Sequence, residues 1–170
     1  MPDPSSHLCG GSSSGEAVME ERRRLDGITE TIIGAAIEVH RVLGPGLLES
    51  AYEACLACEI KARGLAVERQ MPLPLAYRDM RLECAYRLDL VVDGSVVIEV
   101  KAVEQLARIH SVQLLSYLKL AGCPVGLLIN FHAYVLKNGI RRVVNGYPDS
   151  TESLPSPRPL RSSAFSALKG

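Results

Sequence analysis

Glu99 and Lys101 stand two residues apart in the run Val96-Val97-Ile98-Glu99-Val100-Lys101. Side chains of an extended strand alternate between its faces, so this acid and this base share one face while Ile98 and Val100 take the other. A third charged group, Asp89, lies in the preceding alternating run, Leu82 to Val92, and the turn signal Asp93-Gly94 joins the two runs. Whether Asp89 meets Glu99 depends on loop parity. A two-residue loop of Asp93 and Gly94 would set Asp89 against Ile98 and point the two acids apart. A three-residue loop, Asp93 to Ser95, or a bulge in either strand pairs position 89 with position 99, and this is the parity predicted. Two facing carboxylates repel each other and persist comfortably only with a cation between them. Hard oxygen ligands at that spacing select Mg²⁺ or Mn²⁺. Glu and Lys two apart are also ordinary decoration of a solvent-facing strand. Here they interrupt an otherwise apolar strand that leads into a helix, a central position where unpaired charge is costly.

The surrounding sequence supplies elements able to position these groups. Asp26 is a candidate N-cap for a helix with apolar residues at Ile28, Ile32, Ala35, Ala36, Val39 and Val42, ended by Gly44 and Pro45. A second helix is predicted from Leu47 to Arg63, with Leu48, Ala51, Tyr52, Cys55, Leu56 and Ile60 inward and Gly64 as its stop. Val67 to Leu75 reads as a strand, and Pro72 and Pro74 assign it to a sheet edge. With Leu82 to Val92 and Val96 to Lys101 it makes an antiparallel meander of three strands. Glu104 to Ala121 returns to helical spacing through Leu106, Ile109, Val112, Leu115, Leu118 and Leu120, and Gly122 ends it. The wholly apolar run Val125 to Ile129 suits a buried strand parallel to Val96–Lys101, reached by a crossover through that helix. A last strand is expected over Ile140 to Val144, after Asn138-Gly139. The order is α, α, β, β, β, α, β, followed by that final strand.

A chain of 170 residues, 47% hydrophobic and 22% charged, holds one well-buried core and is too short for two full domains. Residues 1–24 lack apolar periodicity and 148–170 are rich in Pro and Ser, so both are expected to stay disordered around one domain over 25–147. Translation could begin at Met1 or at Met19. No apolar stretch reaches membrane-spanning length and no secretory signal heads the chain, which predicts a soluble, cytoplasmic protein. The odd count of five cysteines then argues for reduced thiols that fill the core, and Cys55-Xaa-Xaa-Cys58, without a second such pair, is a weak metal motif. Basic and acidic residues balance at 19 each. No long Lys/Arg run marks a surface for tight, nonspecific holding of duplex DNA, although a local positive groove is compatible with a neutral total.

Gly46-Leu47-Leu48-Glu49-Ser50-Ala51-Tyr52 matches a GxxExxY signature. Together with Ile33 to His40, Tyr86 to Val92, Glu99-Val100-Lys101 and Leu127 to Phe131 in that order, it makes the stretch from Ile28 to Asn145 resemble the GxxExxY family of the PD-(D/E)xK nuclease superfamily. The resemblance implies an α/β, restriction-endonuclease-like core: a mixed sheet of three meander strands, a crossover helix and a parallel strand, flanked by helices. It implies a metal-dependent phosphodiester hydrolase acting on nucleic acid, chiefly DNA. Asp89 and Glu99 would bind Mg²⁺ or Mn²⁺ with the carbonyl of Val100, Lys101 would orient the attacking water, and Glu49 would complete the acidic cluster. Gln113 and Tyr117, four apart on one helix face, resemble the QxxxY element of RecB-like members and would steady substrate or Lys101. They could equally mark the boundary stripe of an amphipathic helix. Tyr52 would pack while its hydroxyl fixes a carboxylate, and Arg87 would contact phosphate or pair with the acids. His40, near a helix end, suits the helix dipole better than catalysis. The chain departs from the family pattern at Asn130-Phe131-His132-Ala133-Tyr134 and at Cys58. Two other readings stay open: a non-catalytic module that keeps the fold and binds nucleic acid or protein, and an enzyme on a small phosphorylated substrate. Small members of the superfamily often pair, which leaves a homodimer open.

Overall fold

The computed structural model describes residues 13–146, with the side chains of 13, 14, 76, 81, 84 and 85 set aside. Cys9 lies outside that range, and so does the side chain of Cys84. The elements run α1 (Ser13–Leu43), α2 (Glu49–Ala62), β1 (Val67–Tyr77), β2 (Met80–Val92), β3 (Val96–Lys101), α3 (Arg108–Ala121), β4 (Val125–Asn130), a 3-10 turn (Leu136–Gly139) and β5 (Ile140–Val144). One five-stranded sheet in the order β1-β2-β3-β4-β5 carries them all. Only β3 and β4 are parallel, as a strand pair bridged by a helix must allow. β1, with its two prolines, lies at an edge as the sequence required.

Alternation along the central strands builds two cores. Val96, Ile98 and Val100 of β3 with Val125, Leu127 and Ile129 of β4 face the α1–α2 pair, which contributes Leu25, Ile28, Ile32, Ala35, Ala36 and Val39, then Tyr52, Leu56 and Ile60. Val97 and Leu128 face the other way, onto Leu114, Tyr117 and Leu118 of α3. Each fully buried Leu or Ile of these layers stabilises the fold by roughly 1.5–3 kcal/mol. Gly126 is what lets α3 approach β4, because a Cβ there would stand 3.0 Å from Leu114.

Several element boundaries differ from those expected. α1 begins at Ser13, ahead of the expected start of order at residue 25. Ahead of its apolar stripe it carries ion pairs three residues apart, Glu20 with Arg23 and Glu21 with Arg24, which support that stretch as helix. Asp26 is therefore inside the helix, and its carboxylate pairs with Arg142 at 2.8 Å instead of capping. On α2 the inward stripe is Tyr52, Glu53, Leu56, Ala57 and Ile60. Leu48 is 78% exposed. Cys55 and Cys58 are exposed rather than core-filling, since they fall on the flank away from the sheet, whereas Cys123 is buried. α3 begins at Arg108 rather than Glu104, for a reason that belongs to the site below.

Candidate active site

β2 and β3 pair over only three positions, Val92 with Val96, Val91 with Val97 and Leu90 with Ile98. The loop between them is thus residues 93–95, and the register carries residue 89 to residue 99, the odd parity predicted. Asp93 and Gly94 make this turn at φ +47° and +60°. Beyond Leu90 the strands part: β2 continues beside β1, while β3 continues beside β4 to Lys101. Asp89 sits at the mouth of this fork and spans it, its Oδ2 accepting from the Val100 N–H at 2.9 Å. Side-chain alternation also breaks here, because Leu90 packs toward the α1–α2 pair and Leu88 toward α3. On β1 the residue between the flanking pairs Arg69–Leu90 and Met71–Leu88 is Gln70, at φ +51°, a left-handed conformation unusual for a residue with a Cβ.

Glu99 is 6% exposed. Its Oε1 accepts from Lys101 Nζ at 2.7 Å, and its Oε2 is buried with no hydrogen-bond partner. Burial, followed by repulsion from Glu49, holds the Glu99 carboxyl above its ordinary range, against the pull of Lys101. Asp89 is pushed up to about 6 by burial and then by the Glu99 charge, with the Val100 amide and Lys101 opposing. Burial works against the Lys101 ammonium, but the bond to Glu99 and the charges of Glu99, Glu49 and Asp89 outweigh it and hold that group above its ordinary value. Glu49, at the first turn of α2, accepts from the Ala102 N–H at 3.0 Å, so it meets the chain just past β3. Glu49, Asp89, Glu99 and Lys101, to which the resemblance gave the chemistry, therefore come together at one fork, with Val100 between two of them.

The supporting residues are sorted less as expected. Tyr52 is fully buried and stacks on Phe131 at 4.5 Å. Its hydroxyl donates to Gly44 O at 2.6 Å and accepts from Leu47 N–H at 3.0 Å, so it fixes the loop before α2 and not a carboxylate. Arg87 is exposed, and among the described residues no acid pairs with it. Arg69 takes that place, donating to Glu53 Oε1 at 3.0 Å. His40 lies in the last turn of α1, yet its Nε2–H donates to Ala133 O at 2.9 Å, a tie between distant segments rather than a cap. Gln113 donates to the Tyr117 hydroxyl at 2.6 Å. Tyr117 is 6% exposed and packs with Leu88, Val91 and Val97 beneath α3, and burial followed by the Glu99 charge raises its phenol; among the described residues no hydrogen bond joins the pair to Lys101.

Two residues of the site, Glu53 and Asn130, had been given no role. Glu53, 5% exposed, also accepts from Gln70 at 2.7 Å and adds its charge to the field that raises Asp89. Its spacing of four from Glu49 puts both acids on one helix face, a signal that was there to be read. Asn130, paired with Lys101 in the β3–β4 register, accepts from Val103 N–H at 3.1 Å and donates to Val103 O at 2.8 Å. These bonds, with that from Ala102 to Glu49, hold residues 102 and 103 extended and delay α3 to Arg108.

The donor set suits a hard divalent cation. A buried carboxylate oxygen without a partner beside a second, partly buried carboxyl is costly unless a positive ion compensates it. Among the described residues no group of three or more His, Cys, Asp or Glu side chains is disposed to hold a metal ion, so the fork offers two carboxylates and backbone. Nor is any helix of the described residues long and apolar enough to cross a membrane. A family model described as PD-(D/E)XK nuclease superfamily matches residues 26–143. No curated protein and no solved structure shows a significant match to the chain.

Proposed function

The chain belongs to the PD-(D/E)XK nuclease superfamily, and from that premise we propose that it is a divalent-metal-dependent nuclease of the GxxExxY type, using Mg²⁺ or Mn²⁺ to hydrolyse phosphodiesters of DNA. The observation that carries this reading is the Glu99 carboxylate, one oxygen bound to Lys101 and the other buried without a partner, facing the fork that Asp89 spans. Asp89 and Glu99 would hold the ion, with the Val100 backbone beside them. When bound, the ion supplies Lewis acidity that lowers the pKa of a coordinated water and offsets charge on the phosphate. Lys101 is fixed by Glu99 where it can hold that water or a phosphate oxygen, and its ammonium stays charged at any physiological pH. Glu49 keeps the backbone after Lys101 in place through Ala102. Gln113 and Tyr117 form the wall on the α3 side.

The test is cleavage of single-stranded, duplex and branched DNA, and of RNA, with added Mg²⁺ or Mn²⁺. Lys101→Ala and Glu99→Gln should each lower the rate by at least about a hundredfold, as loss of one group that stabilises transition-state charge does. Equal activity in wild type and both variants would assign the cleavage to a contaminant. Absence of cleavage in the wild type, with nucleic acid or protein still bound, would favour the non-catalytic module.

A further inference from the structure

Beside the fork lies a groove of 490 Å³ between the β1–β2 hairpin and α3. Leu75, Tyr86, Ile109, Val112 and Leu120 supply most of its lining, and Gln113, Ser116 and Tyr117 complete it. Its apolar side chains face solvent to an unusual degree: Ile109 is 63% exposed, Val112 48%, Leu120 43% and Tyr86 42%. The periodicity of α3 had placed three of these toward the core. The Tyr86 ring lies 5.3 Å from that of Tyr117 at an interplanar angle of 48°, so the two rings form one corner of the groove. Among the described residues, none that lines it is charged.

We propose that this groove receives an unpaired nucleobase adjoining the phosphate at Lys101, which makes single-stranded nucleic acid the preferred substrate; this rests on the phosphodiesterase reading above. Position is the first support, since Tyr117 lines the groove and packs with Leu88, Val91 and Val97, on the face of β3 that alternation also gives to Glu99 and Lys101. A strand whose phosphate meets Lys101 would carry its neighbouring base along that same face. Chemistry is the second. The described lining, apolar and aromatic with no Lys or Arg among it, suits a base better than a phosphate: a base offers flat faces to Tyr86 and the apolar walls, and polar edges to groups such as Gln113 Oε1 and the Ser116 hydroxyl. In a duplex those faces are already stacked on neighbouring base pairs, so only an unpaired base can enter.

Binding is read by fluorescence anisotropy with the full chain in Ca²⁺, the oligonucleotide being checked for integrity afterwards. The probes are a labelled oligothymidylate, a blunt duplex and the same single strand carrying abasic positions. The single strand should bind at least about tenfold more tightly than the duplex or the abasic strand, the factor of one base–aromatic stack. Tyr86→Ala should weaken single-strand binding by about tenfold and leave the duplex unchanged, while Tyr86→Phe, which keeps the ring, should bind like wild type. Equal affinity for duplex and single strand, or indifference to Tyr86→Ala, overturns the proposal. So does a wild-type dimer in sedimentation that Tyr86→Ala dissociates, because a second copy would then occupy the groove. If these binding differences appear but Mg²⁺-dependent cleavage does not, the base site stands and the nuclease reading falls. If cleavage needs Glu99 and Lys101 but both Tyr86 variants match wild type, only the base site falls.

Discussion

Asp89 carries the sharpest consequence at the scale of one residue. Its carboxyl is raised to about 6, first by burial and then by Glu99, so above that pH the metal-free fold must hold a desolvated negative charge that the unfolded chain holds in water. The folded pKa exceeds the unfolded one, and the associated stability is full below the unfolded value near pH 4 and is lost as pH rises through 6. Asp89→Asn keeps an oxygen for the Val100 amide and removes the charge. Without metal it should raise stability at pH 8 by about 1–2 kcal/mol, a gain that fades toward pH 4.5. Mg²⁺ should reverse the order: the wild type should gain in melting temperature with rising Mg²⁺ and Asp89→Asn should not. Thermal melts at pH 4.5 and pH 8, with and without Mg²⁺, check both halves. A wild type indifferent to Mg²⁺ at pH 8 would mean that the fork holds no cation.

At the scale of elements, Tyr52 shows how a signature residue can serve the chemistry indirectly. Its hydroxyl closes the Gly44–Leu47 loop through two hydrogen bonds, and that loop sets where α2 begins and hence where Glu49 stands. Tyr52→Phe should cost about 1–2 kcal/mol in urea unfolding, because two backbone groups lose a partner, while Mg²⁺-dependent cleavage falls less than tenfold. Unchanged stability with abolished cleavage would instead put the hydroxyl in the reaction. The elements also show what was legible in the sequence. The meander, the parallel strand β4, the edge position of β1 and the parity of the β2–β3 loop all follow from alternation and turn residues, which act locally. What escaped depends on contacts far along the chain. The delayed start of α3 comes from Asn130 and Glu49 capturing Val103 and Ala102. The exposure of Ile109, Val112 and Leu120 comes from the hairpin standing off from α3, and the break in alternation at Asp89 from the left-handed Gln70 on the neighbouring strand. The start of α1 at Ser13 is a different kind of miss, since its support is charge pairing, which apolar periodicity does not register.

For the molecule as a whole, the balance of 19 basic and 19 acidic residues limits how nucleic acid can be held. Affinity built on many phosphate contacts falls steeply with salt, because each neutralised phosphate releases counterions. Here the acids Glu49, Glu53, Asp89 and Glu99 concentrate at the fork, and Glu53 and Glu99 each occupy a basic side chain, Arg69 and Lys101. Among the described residues this leaves Lys101, shared with Glu99, and exposed groups such as Arg87 and Arg108 to meet a backbone. With two or three phosphate contacts on a single strand, the logarithm of the association constant should fall against the logarithm of salt with a slope of about −2. Anisotropy titrations of the labelled single strand between about 25 and 200 mM NaCl in Ca²⁺ would measure it, in the range where counterion release dominates. A shallow slope combined with dependence on the Tyr86 ring means that contact with the base, not the backbone, supplies most of the affinity. A slope steeper than about −5 would require cations beyond those around the fork, drawn from a second copy or from the Arg158, Arg161 and Lys169 segment, and would return the substrate to long, backbone-held DNA.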